Sequence, residues 1–269
     1  MGKKTVIITG AGSGIGKACA EVFAVNGYRI VINGRREDRL KQLKDELYSL
    51  GYAEVLAVPG DVSNETDCQQ LVNAAVGAFG GIDVLINNAG VSMRALVEEV
   101  DTQVLRKVMD VNFWGTVYCT KYALPHLLKA EGSVVGVSSI AGKKGLPGRA
   151  GYSASKFAME GFLESLRIEN RKKNLHVLIA CPGFTASEIR RTALAADGNV
   201  QGESPREEQK MMQPEEVAGH IYQAVVRRKP GIVLTANGRL TVLLNKFFPS
   251  LVDKLVYDHM SKEPGSPFK

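Results

Sequence analysis

Short aliphatic and β-branched runs alternate with amphipathic stretches along most of this chain. Thr5–Thr9, Arg29–Asn33, Val55–Val58, Val84–Asn87, Val134–Ser138, Val177–Cys181 and Ile232–Leu234 have strand length, and most are near-continuous apolar runs. Such runs suit strands covered on both faces of a parallel sheet. Between them the period lengthens to that of a helix. Glu37–Leu50 carries Leu40, Leu43, Leu47 and Leu50 on one face and closes at Gly51, while Ile15–Asn26 stops at Gly27. Cys68, Leu71, Val72, Ala75, Val76 and Phe79 recur at spacings that line one helical face. Alternation of strand and helix implies right-handed crossovers. The expected fold class is α/β: a doubly wound, seven-stranded parallel sheet with helices on both faces, in a single domain over 1–269.

Two stretches depart from the alternation. Residues 185–213 are rich in small, polar and charged residues and lead into Gln213-Pro214-Glu215-Glu216, a helix start with proline in its first turn. An irregular insertion inside a compact α/β domain is read as a substrate lid. Residues 238–262 form an amphipathic C-terminal extension. Leu240, Leu243, Leu244, Phe247, Phe248, Leu251, Val252, Leu255 and Val256 repeat at helical spacing, Pro249 divides the run, and Arg239, Lys246 and Lys254 interleave. The stripe either packs on this domain or a sister subunit, or lies against a membrane surface; packing is the commoner fate of such a face.

Composition narrows the function classes. The chain is 45% hydrophobic and 23% charged, ordinary for a globular protein. Its net charge of +6 is spread over short groups such as Lys143-Lys144 and Arg227-Arg228-Lys229 rather than one stripe, so no nucleic-acid partner is expected. Four cysteines and four histidines are dispersed without C-x-x-C or ligand spacing. No metal site is expected, and a reducing, cytoplasmic setting is favoured, with peripheral membrane contact through the C-terminal helix left open. No apolar run approaches a membrane span, and no secretory or myristoylation pattern is seen.

The candidate chemistry begins at Thr9-Gly10-Ala11-Gly12-Ser13-Gly14-Ile15-Gly16, which joins a strand end to a helix start. Glycines there permit a sharp turn and close backbone approach, while free N–H groups and the helix dipole attract an anion. The motif reads as a Rossmann-type cradle for a dinucleotide pyrophosphate. The second strand ends in Asn33-Gly34-Arg35-Arg36, where NAD binders usually place a carboxylate. Cations at a helix start oppose its dipole, so Arg35 and Arg36 are read as serving an anion, the 2′-phosphate of NADP, and NAD is the less favoured cofactor. Asp61-Val62 and Asn87-Asn88-Ala89-Gly90 follow strands three and four, at the ends where open sheets bind ligands. Further on, Tyr152 and Lys156 are neighbours on one helical face, downstream of Ser139: an acid and a cation side by side.

Taken together, the Thr9–Gly16 motif, Asp61, Asn87–Gly90, Asn112, Ser139, Tyr152, Lys156 and Pro182-Gly183 resemble the compact, single-domain short-chain dehydrogenases/reductases. The likeness spans nearly the whole chain and is greatest from residue 5 to about 183; beyond that the chain is more similar to the steroid- and lipid-type branch. The resemblance implies a catalytic tetrad of Asn112, Ser139, Tyr152 and Lys156. It implies a cofactor-binding set of Gly10, Gly12, Ser13, Gly14, Ile15, Gly16, Arg35, Arg36, Asp61, Val62, Asn88, Ala89, Gly90, Tyr152, Lys156, Pro182 and Gly183. Within that set Asp61 and Val62 would contact the adenine, and Pro182-Gly183 would lie near the nicotinamide. Ser187 stands where relatives often carry Thr, and Ser13 where some NADP-dependent members have a second cation.

In the direction of reduction, hydride would pass from NADPH to the carbonyl carbon while Tyr152 protonates the oxygen. Ser139 would hydrogen-bond that oxygen, Lys156 would hold the ribose and lower the Tyr152 pKa, and Asn112 would support a water chain. Met93, Leu146, Phe184, Met211 and Met212 are expected to wall an apolar substrate pocket. The expected function is an NADP-dependent oxidoreductase (a carbonyl reductase, or an alcohol dehydrogenase in reverse) acting on a small hydrophobic ketone, aldehyde or secondary alcohol, as a homodimer or homotetramer. The alternatives are a ketoacyl-thioester or keto-lipid reductase, an NADPH-sensing binding protein without turnover and, fitting the glycine spacing least, a sugar-nucleotide epimerase.

Overall fold

The structure, a computed structural model, describes residues 2–52, 54–203 and 211–268. Seven parallel strands form one sheet: β1 (Thr5–Ile8), β2 (Arg29–Gly34), β3 (Val55–Pro59), β4 (Val84–Asn87), β5 (Ser133–Val137), β6 (His176–Cys181) and β7 (Gly231–Val233), in the order β3-β2-β1-β4-β5-β6-β7. The chain winds outward from β1 through β2 to β3, then returns to place β4 on the other side of β1. Val6 pairs with Val84 and Ile8 with Ile86, so the carboxyl ends of β1 and β4 open side by side. That reversal of strand order is where such sheets leave a ligand crevice.

Helices cover both faces: α1 (Gly14–Val25), α2 (Glu37–Ser49), α3 (Glu65–Phe79), α4 (Thr102–Met109), α5 (Gly115–Lys129), α6 (Ala150–Glu169) and α7 (Pro214–Val226). The strand residues alternate between two cores, which is why their sequence reads as unbroken apolar runs. Ile7, Leu85, Val134 and Ile179 point into the core shared with α3 to α6. Val6, Ile8, Ile86 and Leu178 point into the core with α1, α2 and α7, around the fully buried Phe23. Local signals set the helix ends. Asn64 caps α3 by accepting from Thr66 N at 2.9 Å, and Gly80, at φ +81°, terminates it. Gln213 and Glu216 form a reciprocal capping box at the start of α7, with Pro214 in its first turn.

The C-terminal stripe divides at Pro249 into α8 (Ala236–Phe247) and α9 (Pro249–Met260). Val252 and Met260 are buried, but Leu240, Leu243, Phe247, Phe248, Leu251 and Leu255 are each half exposed or more. This domain therefore covers only part of the stripe. Residues 204–210 of the expected 185–213 lid lie outside the described residues. The remainder carries isolated bridges from Leu194 to Met93 and from Thr185 to Met212.

Candidate active site

The glycine turn is built for close approach. Gly10 and Gly14 have φ of +64° and +53°, a region that disfavours side chains. A Cβ on Gly10 would stand 2.8 Å from Ala89 Cα, and a Cβ on Gly16 would run into the Gly10 carbonyl. Thr9 fastens the turn to β4: its hydroxyl accepts from the N–H groups of Asn88 and Ala89 at 3.0 Å, and Asn88 Nδ2 donates to Thr9 O at 2.9 Å. No side chain caps α1 at Ser13, and no acid stands in its first turn, so its leading N–H groups stay available for an anion. These features fit a dinucleotide pyrophosphate.

A cleft of about 570 Å³ runs along the carboxyl ends of the strands. It brings together Gly10, Gly12, Ser13, Gly14, Ile15, Arg35, Arg36, Asp61, Val62, Asn88, Ala89, Gly90, Ser139, Tyr152, Lys156, Pro182 and Gly183. Gly16 and Asn112 are not part of its lining. Gly16 lies beneath the turn, and Asn112 is fully buried behind the wall. At the end of the cleft beside β2, Arg35 reaches within 4.0 Å of Asp61, while Arg36 pairs with Glu188 at 2.8 Å. The hydrogen bond from Arg36, aided by one from Ser13, holds the Glu188 carboxyl below its usual range.

At the other end, Ser139 follows β5 and caps a 3₁₀ turn (Ile140–Gly142), while Tyr152 and Lys156 project from α6. Burial pushes the Tyr152 phenol above its ordinary range, against the opposing pull of a hydrogen bond from Ser139 and the charge of Arg149. The lowering expected of this phenol relies on Lys156 and an oxidised nicotinamide together; in the protein alone burial sets the direction. Lys156 is 3% exposed, donates to the Val137 carbonyl at 2.9 Å and sits 5.8 Å from the centre of the Tyr152 ring. Burial lowers its ammonium to about 8.

Asn112 lies in a π-helical segment (Asp110–Trp114) between α4 and α5, a local widening that turns its side chain inward. Its Oδ1 accepts from Val91 N at 2.8 Å, and its Nδ2 donates to Val91 O at 2.9 Å and Ser155 Oγ at 2.8 Å. It thus braces the loop after β4 against α6. Gly90 separates it from Lys156: a Cβ there would lie 3.2 Å from Asn112 Oδ1 and 3.6 Å from Lys156 Nζ.

Of the residues expected to wall the substrate pocket, Leu146 and Phe184 line the cleft. Met93 is instead fully buried beneath Gly151, and Met212 packs on the opposite core, because both are held by the bridges that anchor the 185–203 segment. Sequence reasoning did not single out Arg149, Glu188 or Arg190, which also line the cleft. Arg149 immediately precedes α6, and its position three residues before Tyr152 was the available signal. Glu188 had none, since its partner Arg36 is 152 residues away. Among the described residues, no group of three or more His, Cys, Asp or Glu could hold a metal ion, and no helix is long and apolar enough to cross a membrane.

Comparison with known proteins places this geometry in a family. The family described as short chain dehydrogenase matches residues 4–198. A dehydrogenase/reductase SDR family member 7B of Danio rerio is 34% identical over 97% of this chain and 87% of its own length. An 11-beta-hydroxysteroid dehydrogenase-like 2 of Arabidopsis thaliana is 40% identical over 69% of this chain and 60% of its own. Among solved structures, a short chain dehydrogenase/reductase from Burkholderia phymatum in complex with NAD superposes with a TM-score of 0.83 at 29% identity, covering 93% of this chain and 95% of that one. This chain belongs to the short-chain dehydrogenase/reductase family, on its steroid-type branch, and is an NAD(P)-dependent oxidoreductase.

Proposed function

We propose that the protein is an NADP-dependent carbonyl reductase for a hydrophobic ketone or aldehyde, and a secondary-alcohol dehydrogenase in reverse. The observation that carries this reading is one continuous cleft, with a cradle and two arginines at one end and the Ser139–Tyr152–Lys156 cluster at the other. Gly10 to Gly16 would hold the pyrophosphate, Asp61 and Val62 the adenine, Asn88 to Gly90 and Pro182-Gly183 the flank of the cofactor. Arg35 and Arg36 would hold a 2′-phosphate; that they stand where a carboxylate would favour NAD supports NADP. When bound, NADPH supplies the hydride.

The chain's own groups then manage the substrate oxygen. The Ser139 hydroxyl, which lines the cleft with Tyr152, would turn its one proton to that oxygen. Tyr152, a phenol and so protonated at neutral pH, would deliver the proton as charge develops, and its burial pushes its pKa further up. Lys156, at about 8, stabilises the resulting phenolate and is open to the ribose side of the cleft. Asn112 acts through Val91 and Ser155, keeping the β4 loop and α6 in register. Leu146 and Phe184 give the pocket apolar walls, which favours a hydrophobic carbonyl compound, as do the hydroxysteroid dehydrogenase-like relatives.

Two surfaces bear on assembly. Trp114 at the end of the π-helical segment, Tyr118 on α5 and Phe157 and Phe162 on α6 are partly exposed aromatics, which supports a homodimer or homotetramer. The exposed stripe of α8 and α9, edged by Arg239, Lys246 and Lys254, is open to a sister subunit or to peripheral contact with a membrane in the cytoplasm. The test of function is NADPH consumption over aldehydes, ketosteroids, long-chain ketones and ketoacyl thioesters. Turnover of ketosteroids or ketones supports the reading, and turnover confined to thioesters moves it to a ketoacyl reductase. Tight NADPH binding with no turnover anywhere supports a sensor instead.

A further inference from the structure

Glu160 lies one helical turn beyond Lys156 on α6 and has no part in the chemistry described above. It is 5% exposed. Its Oε1 accepts from Ser138 Oγ at 2.5 Å and lies 3.5 Å from Cys181 Sγ, and its Oε2 pairs with Lys143 Nζ at 2.5 Å. The three partners come from two segments that carry site residues. Ser138 precedes Ser139, Lys143 ends the turn that Ser139 caps, and Cys181 precedes Pro182-Gly183. Gly142 has no room for a Cβ, because Glu160 Oε1 and Ser138 Oγ occupy that space. A buried carboxylate is costly unless its bonds are made, and an apolar residue could fill the same volume without that cost.

We propose that Glu160 is a positioning residue for the reaction: its carboxylate ties the Ser139 segment to α6 and sustains the positive charge of Lys156. This rests on the reading of Ser139, Tyr152 and Lys156 given above. Besides burial, the groups that act on Lys156 are Cys181 from β6 and Glu160 from α6, with the Tyr152 ring and the Val137 carbonyl of β5 beside it. Burial pushes the Cys181 thiol up to about 12, so it is neutral and Glu160 supplies the negative charge. Glu160 itself faces Lys143 from the 3₁₀ turn; burial would lower that ammonium, but the bond to Glu160 raises it overall.

Glu160→Gln keeps the shape and an acceptor for Ser138 while removing the charge. The measurement is an NMR titration of the full chain with lysine side-chain nitrogens labelled, the Lys156 signal being identified by its loss in Lys156→Met. Neighbours one helical turn apart lie about 5–6 Å from each other, and a unit charge at that spacing in an effective dielectric of about 20 moves a titration by up to about two pH units, of which Lys143 offsets part. In Glu160→Gln the Lys156 midpoint is therefore expected to fall by roughly one unit. NADPH affinity and KM should stay within about twofold while kcat drops about tenfold. An unmoved Lys156 titration overturns the proposal. Should Glu160→Gln fail to fold, Lys143→Met leaves the carboxylate uncompensated and must raise the Lys156 midpoint; no rise overturns the proposal equally. Tyr152→Phe separates the two levels: retained turnover there refutes the site reading, whereas lost turnover with an unmoved Lys156 refutes only the role of Glu160.

Discussion

Lys156 stores a cost that can be read from pH dependence alone. In the unfolded chain its ammonium titrates near 10.5, and in the folded protein burial lowers this to about 8. Below pH 8 the folded state must hold a desolvated charge that the unfolded state keeps in water. Between 8 and 10.5 the unfolded chain binds the extra proton, so stability attributable to this residue rises with pH across that window. The 2.5-unit gap corresponds to roughly 3 kcal/mol, of which about 2 to 3 kcal/mol is recovered between pH 7 and pH 10. At 3% exposure there is little solvent to screen this effect. The assay is denaturant unfolding of the cofactor-free protein and of Lys156→Met at several pH values. Groups remote from Lys156 titrate alike in both and cancel in the difference. The native protein should gain on the variant by that amount as pH rises. Parallel curves would refute the reasoning, showing that the ammonium is hydrated in the folded state.

Three further outcomes are expected. Gly16→Ala should cost about 1–3 kcal/mol by overpacking and weaken NADPH at least tenfold, since its Cβ meets the Gly10 carbonyl; calorimetry and cofactor-fluorescence titration read both. Glu188→Gln should tighten NADPH a few-fold and leave NADH unchanged, by freeing Arg36 and Ser13; the pair is about half exposed, so screening keeps the gain small, and equal effects on both cofactors would exclude that role. Arg35→Ala should weaken NADPH far more than NADH, and equal losses would remove the 2′-phosphate assignment.

The fold was legible because most strands are near-continuous apolar runs and several helix boundaries carry a glycine or a capping sequence, as at Gly27, Gly51 and Gln213. The glycine cradle was legible for the same reason: its turn, its positive-φ positions and the helix start are consecutive in the chain. Tyr152 and Lys156 could be paired because helix geometry fixes their neighbours. What could not be read were contacts closed by tertiary packing. Arg36 meets Glu188 only because the segment after β6 folds back over the start of α1, and Met93 is withdrawn from the cleft by its bridge to Leu194. The rise in the Tyr152 pKa was equally hidden, since a sequence reveals the neighbouring charge but not the depth of burial.

The most direct test of the central claim follows deuteride from labelled NADPH into the product of the best carbonyl substrate, for the native protein and for Tyr152→Phe. The account expects stoichiometric transfer to the carbinol carbon in the native protein and a loss of about two to four orders of magnitude in kcat in the variant, with NADPH affinity retained. Transfer at near-native rates in Tyr152→Phe would contradict it, because the proton would then reach the substrate oxygen from another group.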